Sequence, residues 1–241
     1  MEDIEVTGIV LDAMPYKEKD KLIHIFTIEL GLVTGILKGV SSPKAKLKFA
    51  GQPFCFGKFD LTVGRDFYVV KGVDVIDTFF DLTTDYDSFR LCNLMLEVCK
   101  SILKPNIISE GLFLSLLKSL QNIIYNNVDL RLAITKFACD VASIIGYKLN
   151  FDTCDNCNMK FVGDIKFDFD SGTLRCANCS SGVLITRQEF VSLKIIAESA
   201  IEKIGTIKLA DNILIRLLKF TIYNLSQRLN CHFKSINLKE L

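Results

Sequence analysis

Four of the nine cysteines stand in two matched pairs, Cys154-Asp155-Asn156-Cys157 and Cys176-Ala177-Asn178-Cys179, with 18 residues between the pairs. Two thiolates separated by two residues can bind one ion from a single tight turn. Two such turns complete a tetrahedron around Zn²⁺ at roughly 2.3 Å per sulfur. The spacing therefore predicts one structural zinc held by Cys154, Cys157, Cys176 and Cys179. An all-cysteine set closes the shell and leaves no position for a reacting water. No H-x-E element accompanies the cysteines, which argues against a zinc deaminase. A redox CxxC usually sits at a helix N-terminus and does not come in matched pairs. Four thiolates and one Zn²⁺ sum to a charge of about −2, and Asp152 and Asp155 add to it. The cysteine module is thus not expected to be the main contact for a polyanion.

A second chemistry-bearing stretch lies earlier in the chain. Between Glu29 and Asp60 there is no acidic residue, while Lys38, Lys44, Lys46, Lys48 and Lys58 fall in that interval. Gly39 and Pro43 make the segment from Lys38 to Lys48 a loop. Alternate lysines can track a phosphate backbone, and each neutralised phosphate releases counterions. Lys38, Lys44, Lys46 and Lys48 are the candidate DNA-binding residues, against the plainer alternative of a solvated charged loop. Phe49, Phe54 and Phe56 offer stacking surfaces beside it, although core positions suit phenylalanines better. Lysine lacks a bidentate fork, so nothing predicts base-specific recognition.

Catalysis has no comparable signal. The two histidines, His24 and His232, are far apart, and no nucleophile–base pair or Gly-rich phosphate loop is present. Asp164, Asp168 and Asp170 alternate with Ile165, Phe167 and Phe169, which fits the solvent side of a hairpin turning at Ser171-Gly172. No enzyme is expected. Cys55, Cys92, Cys99, Cys139 and Cys231 stand singly in apolar or helical surroundings, as buried free thiols do.

The elements that must position these groups change character twice. Residues 1 to about 80 read as β, with runs at Glu2–Asp12, Leu22–Ile28, Leu32–Leu37, Phe54–Val63 and Phe67–Ile76. Five short strands joined by polar turns, one of them Tyr16–Lys21, suit a small barrel. From about Asp85 the period becomes helical. Helices are predicted over the apolar series Phe89 to Ile102, over Ser109–Asn126, and over Leu130–Ile145 with Gly146 as its C-cap. A fourth starts at Thr186-Arg187-Gln188-Glu189, which has capping-box spacing, and Asp211–Leu229 forms a fifth. Phe151–Ile185 keeps neither period for long. It is too short to build its own core, so metal binding is expected to supply its stability.

Composition sets the outer bounds. The chain has 241 residues, 49% of them hydrophobic, enough for one large domain or two to three small ones. Its formal net charge of +1 offers no global basic field, so nucleic-acid binding must come from local patches. No apolar run approaches the roughly 18 residues of a membrane span. The acidic start, Met1-Glu2-Asp3, does not resemble a signal peptide, and a cytoplasmic address is expected.

The arrangement resembles the RecO family. The resemblance is carried by Gly8-Ile9-Val10-Leu11, Tyr16-Lys17-Glu18, Phe26-Thr27, Gly31-Leu32-Val33, Lys38-Gly39 and Pro43-Lys44. It continues in Gly146-Tyr147 ahead of the two cysteine pairs and in the closing segment from Leu229 through Lys234-Ser235. It implies an α+β protein with three parts: an N-terminal five-stranded OB-fold barrel (1–80), an α-helical domain (81–150 and 186–241) and an inserted four-cysteine zinc module (151–185). It also implies a bacterial, nucleoid-associated mediator of recombinational DNA repair that binds single- and double-stranded DNA and anneals complementary strands. Such a mediator helps load the RecA recombinase onto strands coated with SSB, and its partners are RecR and the C-terminal tail of SSB. An acidic tail ending in an apolar residue needs an apolar groove with a cation at its rim. By its distance ahead of Gly146-Tyr147, Lys136 best matches the family's basic docking residue, beside apolar Leu132, Phe137, Val141 and Ile144 and near Arg131. The alternative from another class is a zinc-ribbon adaptor between proteins whose DNA contact is incidental, and a zinc hydrolase is a distant third.

Overall fold

The computed structural model describes residues 3–40 and 47–236. The chain divides into two compact units, Met1–Leu114 and Ser115–Leu241. Lys44 and Lys46 of the basic loop lie outside the described residues.

The first unit is a closed barrel of β1 (Asp3–Tyr16), β2 (Asp20–Thr27), β3 (Gly31–Leu37), β4 (Phe56–Thr62) and β5 (Tyr68–Asp77). Around the ring the order is β1-β2-β3-β5-β4. All pairings are antiparallel except β3 with β5, which is parallel through Gly35↔Tyr68 and Ile36↔Val69. Strict alternation on β3 sends Gly31, Val33, Gly35 and Leu37 inward, where they join Val6, Val10, Ile23, Ile25, Phe59 and Leu61 in one core. The predicted polar loop at Tyr16–Lys21 is shorter than expected. Tyr16↔Asp20 and Pro15↔Lys21 are ladder pairs, so cross-strand pairing carries both strands past the apolar pattern. The turn closes with Lys17 in a left-handed conformation at φ 53°.

Helix α1 (Tyr86–Ile102) belongs to this unit and packs against β1, with Asp85 as its N-cap accepting from the Ser88 amide at 2.8 Å. Phe54 meets Phe89 edge-on at 5.9 Å, and Phe26 meets Phe113 at 5.2 Å. Gly31 stands at φ 68°, and a Cβ there would run into the Ile107 carbonyl, so only glycine fits the turn.

Helix α2 (Glu110–Tyr125) leads into the second unit, which contains α3 (Leu130–Ile144), a sheet of β6 (Ile165–Asp168), β7 (Thr173–Cys176) and β8 (Val183–Ile185), then α4 (Arg187–Glu198) and α5 (Asp211–Leu229). The predicted hairpin is β6–β7. Strand β8 pairs on the other side of β6 and is an addition to the expected fold. Ile165, Phe167 and Leu174 from the sheet share one core with Leu132, Phe190, Leu193, Leu214 and Leu217 from the helices. The capping box is present at α4: Thr186 accepts from the Glu189 amide, and Glu189 accepts from the Thr186 amide at 2.9 Å. Among the described residues, no helix is long and apolar enough to cross a membrane.

Two substitutions test this packing by denaturant unfolding. Phe59 is fully buried in the barrel, and Phe59→Ala is expected to cost about 3–5 kcal/mol. Thr186→Ala removes one half of the capping box and is expected to cost about 1 kcal/mol. A loss below 1 kcal/mol at Phe59 would contradict the barrel core.

Candidate metal centre and nucleic-acid interface

Each cysteine pair is shaped by its own backbone. In the first, the Cys154 amide donates to the Met159 carbonyl at 2.9 Å, and the Asn158 amide donates to the Cys154 carbonyl at 2.8 Å. Asn158 closes the turn at φ 57°, a conformation asparagine tolerates well. In the second, the Cys179 amide donates to the Cys176 carbonyl at 2.9 Å, and the Ala177 amide donates to the Asp164 carbonyl at 3.2 Å. The β6–β7 hairpin brings the two turns together.

The four Sγ atoms all lie within 4.8 Å of one another, with Cys157 and Cys176 at 4.0 Å. A tetrahedron with zinc–sulfur bonds of roughly 2.3 Å has edges of about 3.8 Å, so the donor set fits such an ion with little adjustment. Electrostatics agrees. Burial opposes ionisation of Cys154, but the backbone amides of Cys176, Cys157 and Asn156 outweigh it and bring the thiol down to about 6. The Asn156 side chain favours a Cys179 thiolate, yet the sulfurs of Cys176, Cys157 and Cys154, together with desolvation, hold it up at about 11. Sulfurs this close oppose one another's ionisation, and a cation among them would relieve that repulsion. The other free thiols differ: burial pushes Cys55 up to about 11, and Cys92 and Cys139 up to about 12.

The far end of the hairpin is anchored by rings. Phe167 meets Phe220 of α5 edge-on at 4.4 Å, and Phe169 meets Tyr223 at 4.6 Å. Phe151 and Phe161 flank Phe190 of α4 at 5.7 and 5.5 Å. At the turn, Gly172 leaves room for the Arg228 guanidinium, which lies 4.9 Å from the centre of the Tyr147 ring. Asp164 and Asp170 are exposed as expected. Asp168 instead accepts from the Asp170 and Ser171 amides, both at 3.1 Å, and pairs with Arg175 at 2.8 Å.

Metal analysis of the purified chain is expected to give about one zinc per molecule. Cys176→Ser should lower metal content and thermal stability together, while Cys139→Ser should leave the metal in place. A folded protein purified without metal would falsify the assignment.

On the barrel, Lys38 and Lys48 are exposed, and among the described residues neither is ion-paired with a carboxylate. The phenylalanines divide sharply. Phe54 is fully buried, Phe56 is half-buried, and Phe49 is 62% exposed. Sequence reasoning missed a polar cluster nearby. A bulge in β1 between Val10 and Asp12 turns Asp12 toward His24 Nδ1 at 2.5 Å and toward Lys100 of α1. Burial raises the Asp12 carboxyl, but His24 and Lys100 together hold it below the usual carboxylate range. The cluster pins α1 to the barrel. Its sequence signal was an acid amid the apolar residues of one strand, facing a histidine in the next.

Lys136 sits on α3 as expected, but in the interior. Its side chain is 5% exposed, and the ammonium donates to Asp140 at 2.6 Å and to the Ala197 carbonyl at 3.2 Å. Burial pushes the Asp140 carboxyl up, against the pull of Lys136. Apolar exposure with nearby cations occurs elsewhere in this unit. A groove of about 340 Å³ is lined by Phe169, Val183, Leu184, Phe220 and Tyr223, with Arg216 and Lys219 also in its wall. Arg216 is held by the buried Glu189 at 2.6 Å.

Comparison with known proteins gives these sites a setting. A family model described as "Recombination protein O N terminal" matches residues 1–79, the barrel, and one described as "Recombination protein O C terminal" matches residues 83–236. The chain is 26% identical over 235 residues to "DNA repair protein RecO" of Clostridium novyi, covering 96% of this chain and 91% of the relative. It is likewise 26% identical over 239 residues to the protein of that name from Clostridium perfringens, covering 98% and 96%. With 27% identity over 211 residues, the Clostridium acetobutylicum protein covers 86% and 84%. Matches that run through the closed barrel and on through the four-cysteine module leave one conclusion: the chain belongs to the RecO family of DNA repair proteins.

Proposed function

We propose that this chain is a non-enzymatic recombination mediator. It binds single- and double-stranded DNA through its barrel, anneals complementary strands and helps load recombinase onto SSB-coated single-stranded DNA, with RecR as a partner. The observation that carries this is the barrel of a DNA-repair family with exposed Lys38 and Lys48 free of ion pairs with described carboxylates, with Lys44 and Lys46 between them in the sequence. Unpaired cations exchange their counterions for phosphates at no cost in broken ion pairs. The zinc module has a structural part: its ion would be held by Cys154, Cys157, Cys176 and Cys179, and it would fix the sheet that walls the apolar groove.

The SSB tail belongs at that groove in this reading. Its apolar end fits between Phe169, Val183 and Tyr223, and Lys219 and Arg216 meet its carboxylates. Lys136, held by Asp140, serves the site from within by keeping α3 against the end of α4.

Salt titration tests the DNA reading. Changing Lys44, Lys46 and Lys48 together to Ala should weaken binding to all sequences alike and flatten the log–log salt slope by about 0.7–0.9 per lost phosphate contact. An unchanged slope would move the DNA site elsewhere. No salt-dependent DNA binding by the wild type would favour a zinc-ribbon adaptor instead. For the groove, titration with an acidic peptide ending in an apolar residue should show Lys219→Glu binding on the order of tenfold more weakly than wild type. Equal affinity would exclude the groove.

A further inference from the structure

The first unit carries a second groove, of about 320 Å³, lined by Phe49, Gln52, Pro53, Cys55, Val75, Thr78, Phe80 and Thr83. Phe49 is 62% exposed and Phe80 is 65% exposed. Two phenylalanines left largely in water on the walls of one groove are unusual, because burying either ring would be favourable.

The backbone on both walls is also unusual. Seven non-glycine residues among those described have positive φ. Four are asparagines and one is Lys17, and the remaining two are Phe54 at φ 71° and Phe79 at φ 46°. Left-handed backbone is costly for a bulky residue and is tolerated where the surroundings enforce it. Phe54 and Phe79 are both buried, and each adjoins the groove, one between Pro53 and Cys55, the other between Thr78 and Phe80. The kink at Phe79 sends one ring into the core and leaves the next in solvent.

The polar groups identify a ligand. Gln52 is exposed and presents both a donor and an acceptor, and Thr78 adds a hydroxyl, while the Thr83 hydroxyl donates to the Phe80 carbonyl at 2.7 Å. Lys48 directly precedes Phe49 and is exposed. Lys21 donates to the Gly51 carbonyl at 3.2 Å, in the same short turn. Among the described residues neither lysine is ion-paired with a carboxylate. On the opposite wall Asp77 turns its carboxylate to the Phe79 amide at 2.8 Å. Lys48 and Lys21 thus flank the turn that carries Phe49, the Asp77 carboxylate lies near Cys55 on the other side, and the groove itself is aromatic with a few adaptable polar groups. That combination suits a flat aromatic ring attached to an anion. The volume lies at the low end for small-ligand sites, which suits one ring and excludes a stacked duplex.

We propose that the groove between Phe49 and Phe80 holds an unpaired base of single-stranded DNA, with the adjoining phosphate on the Lys48 side. This rests on the DNA-binding reading above and deepens it. The phenylalanines select single strands because only an unstacked base can enter, and Gln52 accommodates any base, so recognition is independent of sequence.

The test uses the full chain with zinc bound. Wild type, Phe49→Ala/Phe80→Ala and Lys48→Ala are titrated with an oligothymidine strand and with a duplex of equal length across a salt series. The double variant should bind the single strand on the order of tenfold more weakly with an unchanged salt slope, and the duplex as well as wild type does. Lys48→Ala should lower the slope by about 0.7. As a measurement that needs no variant, a strand carrying iodinated uracil should photocrosslink to Phe49 or Phe80. Unchanged single-strand affinity in a folded double variant, or crosslinks only elsewhere, would overturn the proposal while leaving DNA binding intact. Loss of a protein partner with DNA affinity unchanged would assign the groove to that protein and overturn it too. Absence of salt-dependent DNA binding by wild type would remove the DNA reading and the proposal together.

Discussion

Strand β6 is the piece on which the second unit turns. One face of its four residues puts Ile165 and Phe167 into the helical core, and its neighbour Phe169 meets Tyr223 and Phe220. Its register with β7 places Ile165 opposite Cys176, which brings the second cysteine pair to the first. The strand thus joins a hydrophobic anchor at one end to four sulfurs at the other. Each end lacks what the other supplies. The cysteine turns have almost no buried side chains of their own, and the rings of the hairpin have no backbone ladder beyond two short partners. Ordering such a segment costs conformational entropy, which the shared core offsets at one end and an ion at the four sulfurs would offset at the other.

In the first unit the constraint is topological. Closing five strands into a ring removes exposed sheet edges, and the bulge at Val10/Asp12 supplies the bend that closure needs. The same bulge aims Asp12 at His24 and Lys100, so one irregularity both shapes the barrel and attaches α1. The two left-handed phenylalanines are a further departure from regular geometry, and they border the aromatic groove.

Much of this was legible in the sequence. The four sulfurs were identified by spacing alone, because a CxxC turn fixes its own geometry whatever surrounds it. The helices followed from apolar period and caps, down to the Thr186–Glu189 box. Strand β8 was not legible, since Val183–Ile185 is too short to show a period. The fate of single polar or aromatic residues was harder still. Lys136 has the spacing of a helix edge, yet Asp140 one turn later neutralises it and permits burial. Phe49, Phe54 and Phe56 are alike in composition, and only the left-handed turn at Phe54 decides that one ring goes to the core while another stays in solvent.

The parallel seam between β3 and β5 has a kinetic meaning. That seam is joined by two residue pairs, against seven for the seam between β1 and β4. Each seam ties early strands to late ones, so neither can form until a long loop has closed. The β1–β4 seam repays its closure with many hydrogen bonds, and the β3–β5 seam with few. Among the described residues the barrel is therefore a ring with one short seam, between Gly35–Ile36 and Tyr68–Val69. The strand on one side of that seam, β3, leads directly into Lys38. The ring's shortest seam and its most lysine-rich stretch of sequence are consecutive in the chain, so the residues that would meet phosphates follow the strand held by the fewest ladder pairs on that side.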